Sequence, residues 1–196
     1  MNLWPEASDR LVDQLEEQLK PKRFLHVLGV LHTALGLAAS HGVPPEPVAW
    51  AALLHDMCKS VNKRELLRMI ERDGERMPPE DLEFPGIWHG WAAAGEARRC
   101  WGIRDEQILE AVRHHSTGHP GHGVLGRILV LADHLEPNRN SAAQRRPILE
   151  RAHRDLDAAL AEVLESKIFH MRAKDQPVHP RALMTLASLQ TVAKEA

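Results

Sequence analysis

Apolar residues recur at helical spacing along nearly the whole chain, and no run of β-branched residues alternates with polar ones. The sequence therefore predicts an all-α fold, a single helical bundle of about eight helices. A short amphipathic helix covers about Glu6 to Leu19. Pro21 opens a second that ends at His41-Gly42, apolar on most sides through Val27, Leu28, Val30, Leu31, Leu35 and Leu37. Such a helix belongs near the centre. The Pro-rich segment Pro44 to Pro47 starts a third through Leu53, Leu54 and Met57, and Asn62 with Glu65 caps a fourth. Met77 to Gly86, rich in proline and acids, reads as a loop. Trp88 to Trp101 is a helix stopped by Gly102, and Asp105 caps another that runs to His115. His119 to Gly123 is a loop. A helix from Leu125 to Leu135 is halted by Pro137, a long amphipathic one runs from about Pro147 to Met171, and Pro180 begins the last. Residues 1–20 read as a leader with a short helix, and residues 21–196 as one domain that includes the C-terminal helices.

A chain of 196 residues, 43% hydrophobic, can bury one substantial core without disulfides or metals as staples. Two cysteines build no disulfide framework, so Cys58 and Cys100 read as free thiols in a reducing compartment, which points to the cytoplasm. No stretch reaches the ~18 apolar residues of a membrane span, and the start from Met1 to Glu6 has neither basic segment nor apolar signal core. Neither membrane nor secretion is expected. A net charge of -2 gives no basic field for nucleic acid. What stands out is 13 histidines, five tryptophans and no tyrosine.

The most informative of those histidines belongs to His55-Asp56, at the end of the apolar segment Ala49-Trp50-Ala51-Ala52-Leu53-Leu54. An ionised carboxylate there is expensive unless a cation or donor meets it. Lys59, one turn after His55, projects to the same side and can meet a phosphate oxygen. Alone, the pair is more often a buried histidine with a hydrogen bond. Three further ionisable residues interrupt apolar helical segments: His26 within Phe24 to Val30, His89 after Trp88, and Asp133 after Ile128-Leu129-Val130-Leu131-Ala132. A metal shared by His26, His55, Asp56 and Asp133 would compensate the buried charge. Mixed imidazole and carboxylate ligands suit iron, manganese or zinc better than the all-oxygen shells of calcium and magnesium.

The spacing His26, His55-Asp56, Asp133 resembles the HD-domain metal-dependent phosphohydrolases. Five blocks extend the likeness to the YqeK family of symmetrical bis(5′-nucleosyl)-tetraphosphatases: Arg23-Phe24-Leu25-His26-Val27, Leu53 to Lys59, Trp88-His89-Gly90, His115-Ser116-Thr117-Gly118, and Ala132 to Arg139. They span about residues 21 to 140. The His-Asp pair is common to a large superfamily, whereas His-Ser-Thr-Gly combined with Ala-Asp-x-x-Glu-Pro-x-Arg is far more specific. The resemblance implies an all-helical HD domain that binds ferrous iron, as one or two ions, and hydrolyses diadenosine tetraphosphate to two ADP. His26, His55, Asp56 and Asp133 would be the metal ligands. Arg23, Lys59, His89, His115, Thr117 and Arg139 would face the substrate. His89 and His115 would touch phosphate or act as general acid or base, although equivalent histidines hold a second metal in some HD proteins.

The chain departs from that family at Trp88, Ser116 and His134, and His114 and His134 stand where tyrosines are common. Base contacts made by those rings must be replaced or lost. Other histidines carry structural expectations: His32, His41, His153 and His170 at the surface or hydrogen bonded, His119 and His122 in solvent. Trp50, Trp91 and Trp101 read as core, Trp88 as core or pocket wall, and Arg145-Arg146 with the charges from Glu150 to Asp157 as a solvated helix face. Two alternatives stay open: another HD nucleotide phosphohydrolase acting on a nucleoside monophosphate, deoxynucleotide or alarmone, or a non-enzymatic metal-bound nucleotide sensor. The partner is a small dinucleoside polyphosphate, and a homodimer is left open.

Overall fold

The computed structural model describes residues 6–139 and 141–195, so expectations about Met1 to Pro5 fall outside the described residues. Those residues form eleven α-helices, a single 3-10 turn at Pro85–Ile87 and no strand. In chain order the helices are α1 (Glu6–Gln18), α2 (Pro21–Ser40), α3 (Pro45–Leu54), α4 (Lys63–Arg72), α5 (Pro79–Leu82), α6 (Trp88–Cys100), α7 (Glu106–His114), α8 (Val124–Leu135), α9 (Ala142–Ala152), α10 (Leu156–Arg172) and α11 (Pro180–Glu195).

The count exceeds eight for two reasons. The acidic loop folds a short turn, α5, and the expected helix from Pro147 to Met171 divides. Ser141 caps α9 through the Gln144 N–H, which places Pro147 inside a helix and not at its start. Asp155 then caps α10 by accepting from the Ala158 N–H. The caps expected at Asn62 and Asp105 form, accepting from the N–H groups of Glu65 and Gln107.

α2 packs against α3 and α8, α6 against α4 and α7, and α7 against α8, while α10 ties α8 to α9 and α11. α2 passes the length and composition test for a membrane span, which the sequence was not expected to meet. It is built into the bundle through buried Val27, Val30, Ala34 and Leu37. α1 likewise sends Leu11 and Leu15 into the core, with Leu19 just after it, so the leader helix is part of the bundle. Leu53, Leu54, Leu109, Ile128, Leu129 and Leu131 are fully or almost fully buried between them. Each such side chain contributes about 1.5–3 kcal/mol, whereas breaking a buried ion pair costs about 3–5 kcal/mol. Carboxylates inside this core must therefore be matched by something. Both cysteines are free; burial pushes the Cys58 thiol up to about 12, which makes it inert, while Cys100 is exposed.

Trp50 and Trp91 lie in the core, Trp101 beside it, and Trp88 is buried with its indole N–H on the Asp81 carbonyl at 2.9 Å. His41, His153 and His170 make surface hydrogen bonds and His32 is exposed, as expected. His122 is a correction: only 5% exposed, its ring lies flat on Gly126, where a Cβ would meet the ring at 2.6 Å. Arg145 is another, since it lines a cavity instead of a solvated face.

Candidate metal centre

Five helices deliver the polar residues to one point in the apolar interior. His26 comes from the second turn of α2, and His55 and Asp56 follow the last turn of α3. His89 stands in the first turn of α6, His115 just past α7, and Asp133 near the end of α8. Gly90 makes one of these placements feasible. A Cβ there would lie 2.7–2.8 Å from the Arg113 and Val112 carbonyls, so its absence lets α6 approach α7 and brings His89 beside His115.

His26 Nε2 lies 3.1 Å from Asp133 Oδ1, 3.6 Å from Asp56 Oδ2 and 3.4 Å from His55 Nε2. On the other side of Asp56, His89 Nε2 stands 3.2 Å from Oδ1 and 3.1 Å from His115 Nε2. Two groups, His26 with His55 and Asp56, and Asp56 with His89 and His115, each gather their ligand atoms within 4.8 Å of one another. Asp56 belongs to both.

Backbone contacts set the tautomers. His55 Nδ1 lies 2.7 Å from the Ala52 carbonyl and His115 Nδ1 lies 2.8 Å from the Val112 carbonyl. A carbonyl only accepts, so each Nδ1 carries the proton and each Nε2 turns a lone pair inward. Burial holds His55, His89 and His115 below the ordinary histidine range, so these rings are neutral. Burial also opposes protonation of His26, yet Asp133 and Glu136, one on each ring nitrogen, outweigh it and raise its pKa. Asp56 and Asp133 are held below the usual carboxylate range despite burial: Asp56 chiefly by the neighbouring His55 and His89 rings and then by Lys59, Asp133 by a hydrogen bond from His26 and the Arg139 charge.

Neutral imidazoles facing ionised carboxylates are the form in which this donor set binds a transition metal. A second observation tests the fit. Asp56 is 2% exposed and its Oδ1 makes no hydrogen bond: His89 Nε2 stands 3.2 Å away, Lys59 Nζ 3.6 Å, and His115 Nε2, 3.7 Å away, turns its lone pair toward it. The residues present suit a divalent cation.

The cations expected around the site are close. Arg23 donates to Asp56 Oδ2 at 2.7 Å, Lys59 Nζ lies 3.0 Å from His89 Nε2 and 3.6 Å from Asp56 Oδ1, and Arg139 spans both Asp133 oxygens at 3.2 and 3.3 Å. Thr117 is the exception. Its hydroxyl donates to the Gly118 carbonyl at 2.9 Å, and it lines a separate cavity beside Phe84 and His179.

Two residues escaped the sequence reading. Glu136 Oε1 sits 3.1 Å from His26 Nδ1 and orients that ring, the role carboxylates take behind metal-binding histidines. The signal was available, since Glu136 lies one turn beyond Asp133. Gly29 makes room for it, because a Cβ there would run into Glu136 Oε2. Lys167 reaches in from α10 to donate to the Ser116 carbonyl at 2.5 Å, and Ser116 Oγ lies 3.1 Å from His115 Nε2. No local pattern marks Lys167.

The HD domain family matches residues 23–138, more than half of the chain. The chain belongs to that family. Among curated relatives, a Bacillus subtilis protein is 34% identical over 172 residues, covering 87% of this chain and 91% of its own length. One from Halalkalibacterium halodurans is 33% identical over 177 residues, covering 89% and 92%. Both are named symmetrical bis(5′-nucleosyl)-tetraphosphatase. A solved structure from Clostridium acetobutylicum, described as a predicted HD superfamily hydrolase involved in NAD metabolism, superposes with a TM-score of 0.87 at 29% identity. That match covers 96% of this chain and 98% of the other.

Proposed function

We propose that this HD-domain protein is a metal-dependent symmetrical bis(5′-nucleosyl)-tetraphosphatase that hydrolyses diadenosine tetraphosphate to two ADP. The observation that carries the reading is the convergence of five buried side chains, His26, His55, His89, His115 and Asp133, with cations at their edge, around Asp56, whose Oδ1 makes no hydrogen bond. The two curated relatives of that name support the substrate class.

His26, His55, Asp56 and Asp133 would hold one ion. Asp56, His89 and His115 would hold a second. Its support is the gathering of those three ligand atoms and the inward lone pair of His115, whose proton is engaged by the Val112 carbonyl. With that tautomer His115 has no proton to offer a leaving group, which favours the two-ion arrangement over a general acid at this position. A bound divalent metal supplies an acidified water and polarises a phosphoryl oxygen. Arg23, Lys59 and Arg139 neutralise non-bridging oxygens, a task for which guanidinium is well shaped. Glu136 keeps His26 in register. Iron, most simply ferrous, fits the mixed donor set, as do manganese and zinc.

The test is anaerobic incubation of protein loaded with iron, manganese or zinc with diadenosine tetraphosphate, against a chelated control, with products separated by chromatography and metal counted per chain. Two ADP per substrate and two ions per chain are expected. AMP plus ATP, or no turnover with any metal, would overturn the assignment; one ion at full activity would return His89 and His115 to the phosphates.

A further inference from the structure

Three histidines that take no part in the metal centre gather where α7 gives way to α8. His114 ends α7, and His119 and His122 lie in the connection that follows. Their ring centroids stand 5.0, 5.8 and 6.1 Å apart, against 4.9 to 5.5 Å for neighbouring imidazoles of the metal centre. Two of the rings are held in place. Trp91 packs nearly at right angles to His114 at 5.3 Å, and the bare backbone of Gly126 receives the ring of His122. Both are buried, 7% and 5% exposed, yet His114 Nδ1 and both ring nitrogens of His122 make no hydrogen bond. Buried polar atoms are nearly always bonded, so three such nitrogens in one small cluster call for a partner from outside the chain.

We propose that His114, His119 and His122 form a separate metal site, outside the metal centre, for a zinc-class divalent ion. An imidazole nitrogen binds zinc at about 2.1 Å, which puts the ring centroid about 3.2 Å from the ion and neighbouring centroids about 5.2 Å apart in a tetrahedral shell. Three histidines with a water in the fourth position complete that shell. The ligand atoms stand looser than those of the metal centre, which close to within 4.8 Å, so one ring must move. His119 is free to do so: it is half-buried, and its Nδ1 has only the exposed bond accepted from the Gly121 N–H at 3.0 Å to give up. Nearby positive charge is already answered, since Arg181 is tied to Asp81, Arg113 to Glu75 and Arg127 to Asp157. Neutral imidazoles without a carboxylate suit zinc, copper or nickel and not magnesium or manganese. For the same reason the site fills after the carboxylate-bearing metal centre, from ion supplied in excess of it. Its effect is to pin the stretch between His114 and His122, which includes His115 and Ser116. The inference does not depend on which substrate the metal centre serves.

The experiment titrates the metal-free full chain with zinc in competition with a chelator, with magnesium present throughout, and counts ions per chain at saturation. Wild-type protein should take up one more zinc than His119→Ala or His122→Asn, and the last ion to bind should be at least about tenfold weaker than those before it. His32→Ala, at an exposed histidine elsewhere, should match wild type. Equal counts in wild type and both cluster variants would overturn the site, and a matching loss in His32→Ala would show adventitious surface binding only. Amide exchange locates the ion without reference to activity. Excess zinc should slow exchange across residues 116–123 about tenfold in wild type and leave it unchanged in His119→Ala. Unchanged exchange there in zinc-saturated wild type would place the ion elsewhere and overturn the inference.

Discussion

Two aspartates in this protein are equally buried and differently served. Asp81, fully buried, has its carboxylate met by Trp91 Nε1 at 2.8 Å, by both Arg181 nitrogens at 2.6 and 3.0 Å, and by His179 Nε2 at 3.1 Å. Asp56 has Arg23 on Oδ2 at 2.7 Å, while its Oδ1 makes no hydrogen bond: His89 Nε2 stands 3.2 Å off, Lys59 Nζ 3.6 Å, and His115 Nε2, lone pair inward, 3.7 Å. The first cluster is complete within the protein and ties α11 to the segment before α6. The second leaves one buried carboxylate oxygen without a hydrogen bond. The difference separates a polar cluster whose carboxylate is satisfied by the protein from one that can still take a cation, and burial alone does not distinguish them.

The largest expected effect is at the incomplete cluster. Asp56→Ala should lower hydrolysis by more than about a thousandfold, because it removes the residue shared by both proposed ion positions. The metal-free variant should unfold near the wild-type urea midpoint, and a large drop there would make Asp56 a structural residue and erase the contrast. The converse applies to Asp81→Asn, which strands the buried Arg181 charge and should cost about 3–5 kcal/mol in urea unfolding. Metal content should stay intact where the variant remains folded. Glu136→Gln should weaken metal binding about 10–100-fold, read by competition with a chelator, with little change in melting of the metal-free protein.

The smallest effect concerns acid and the buried imidazole outside both clusters. Burial, then the charge of nearby His119, lower His122 to about 4, with Arg127 and Arg181 acting in the same direction and the Glu110 carbonyl opposing them. Because the folded value lies below the ordinary 6.5, the unfolded chain takes up this proton first. Stability contributed by neutral His122 is complete above about pH 6.5 and is lost as pH falls toward 4, by about 1.4 kcal/mol per pH unit within that window. His122→Asn should flatten that part of the stability profile measured by urea unfolding, and an unchanged slope would show that another group sets it.

The residues proposed as ligands were legible as candidates because each breaks an apolar helical run, and a charge among leucines must have a partner. His26, His55, Asp56, His89 and Asp133 announce themselves this way. Glu136 and Lys167 did not, since each sits where a polar residue also suits a helix end or a solvated face. The same ambiguity misplaced His122 and Arg145. His122 follows glycines in what reads as an open loop, and only the bare backbone of Gly126 on the next helix provides the surface that covers it. The helices were legible wherever a cap or proline marks an end, and the break before Asp155 was missed because amphipathic spacing runs on across it.

Local sequence determined that the chain is helical, where most helices begin, and which residues need a cation, because periodicity, capping and the cost of buried charge act within a few residues of each position. Only the tertiary structure decided which carboxylate is satisfied and which is not, and that His55 and His115 turn Nε2 inward. Those properties depend on what a distant helix brings within about 3 Å, the range at which a hydrogen bond forms or is left unmade.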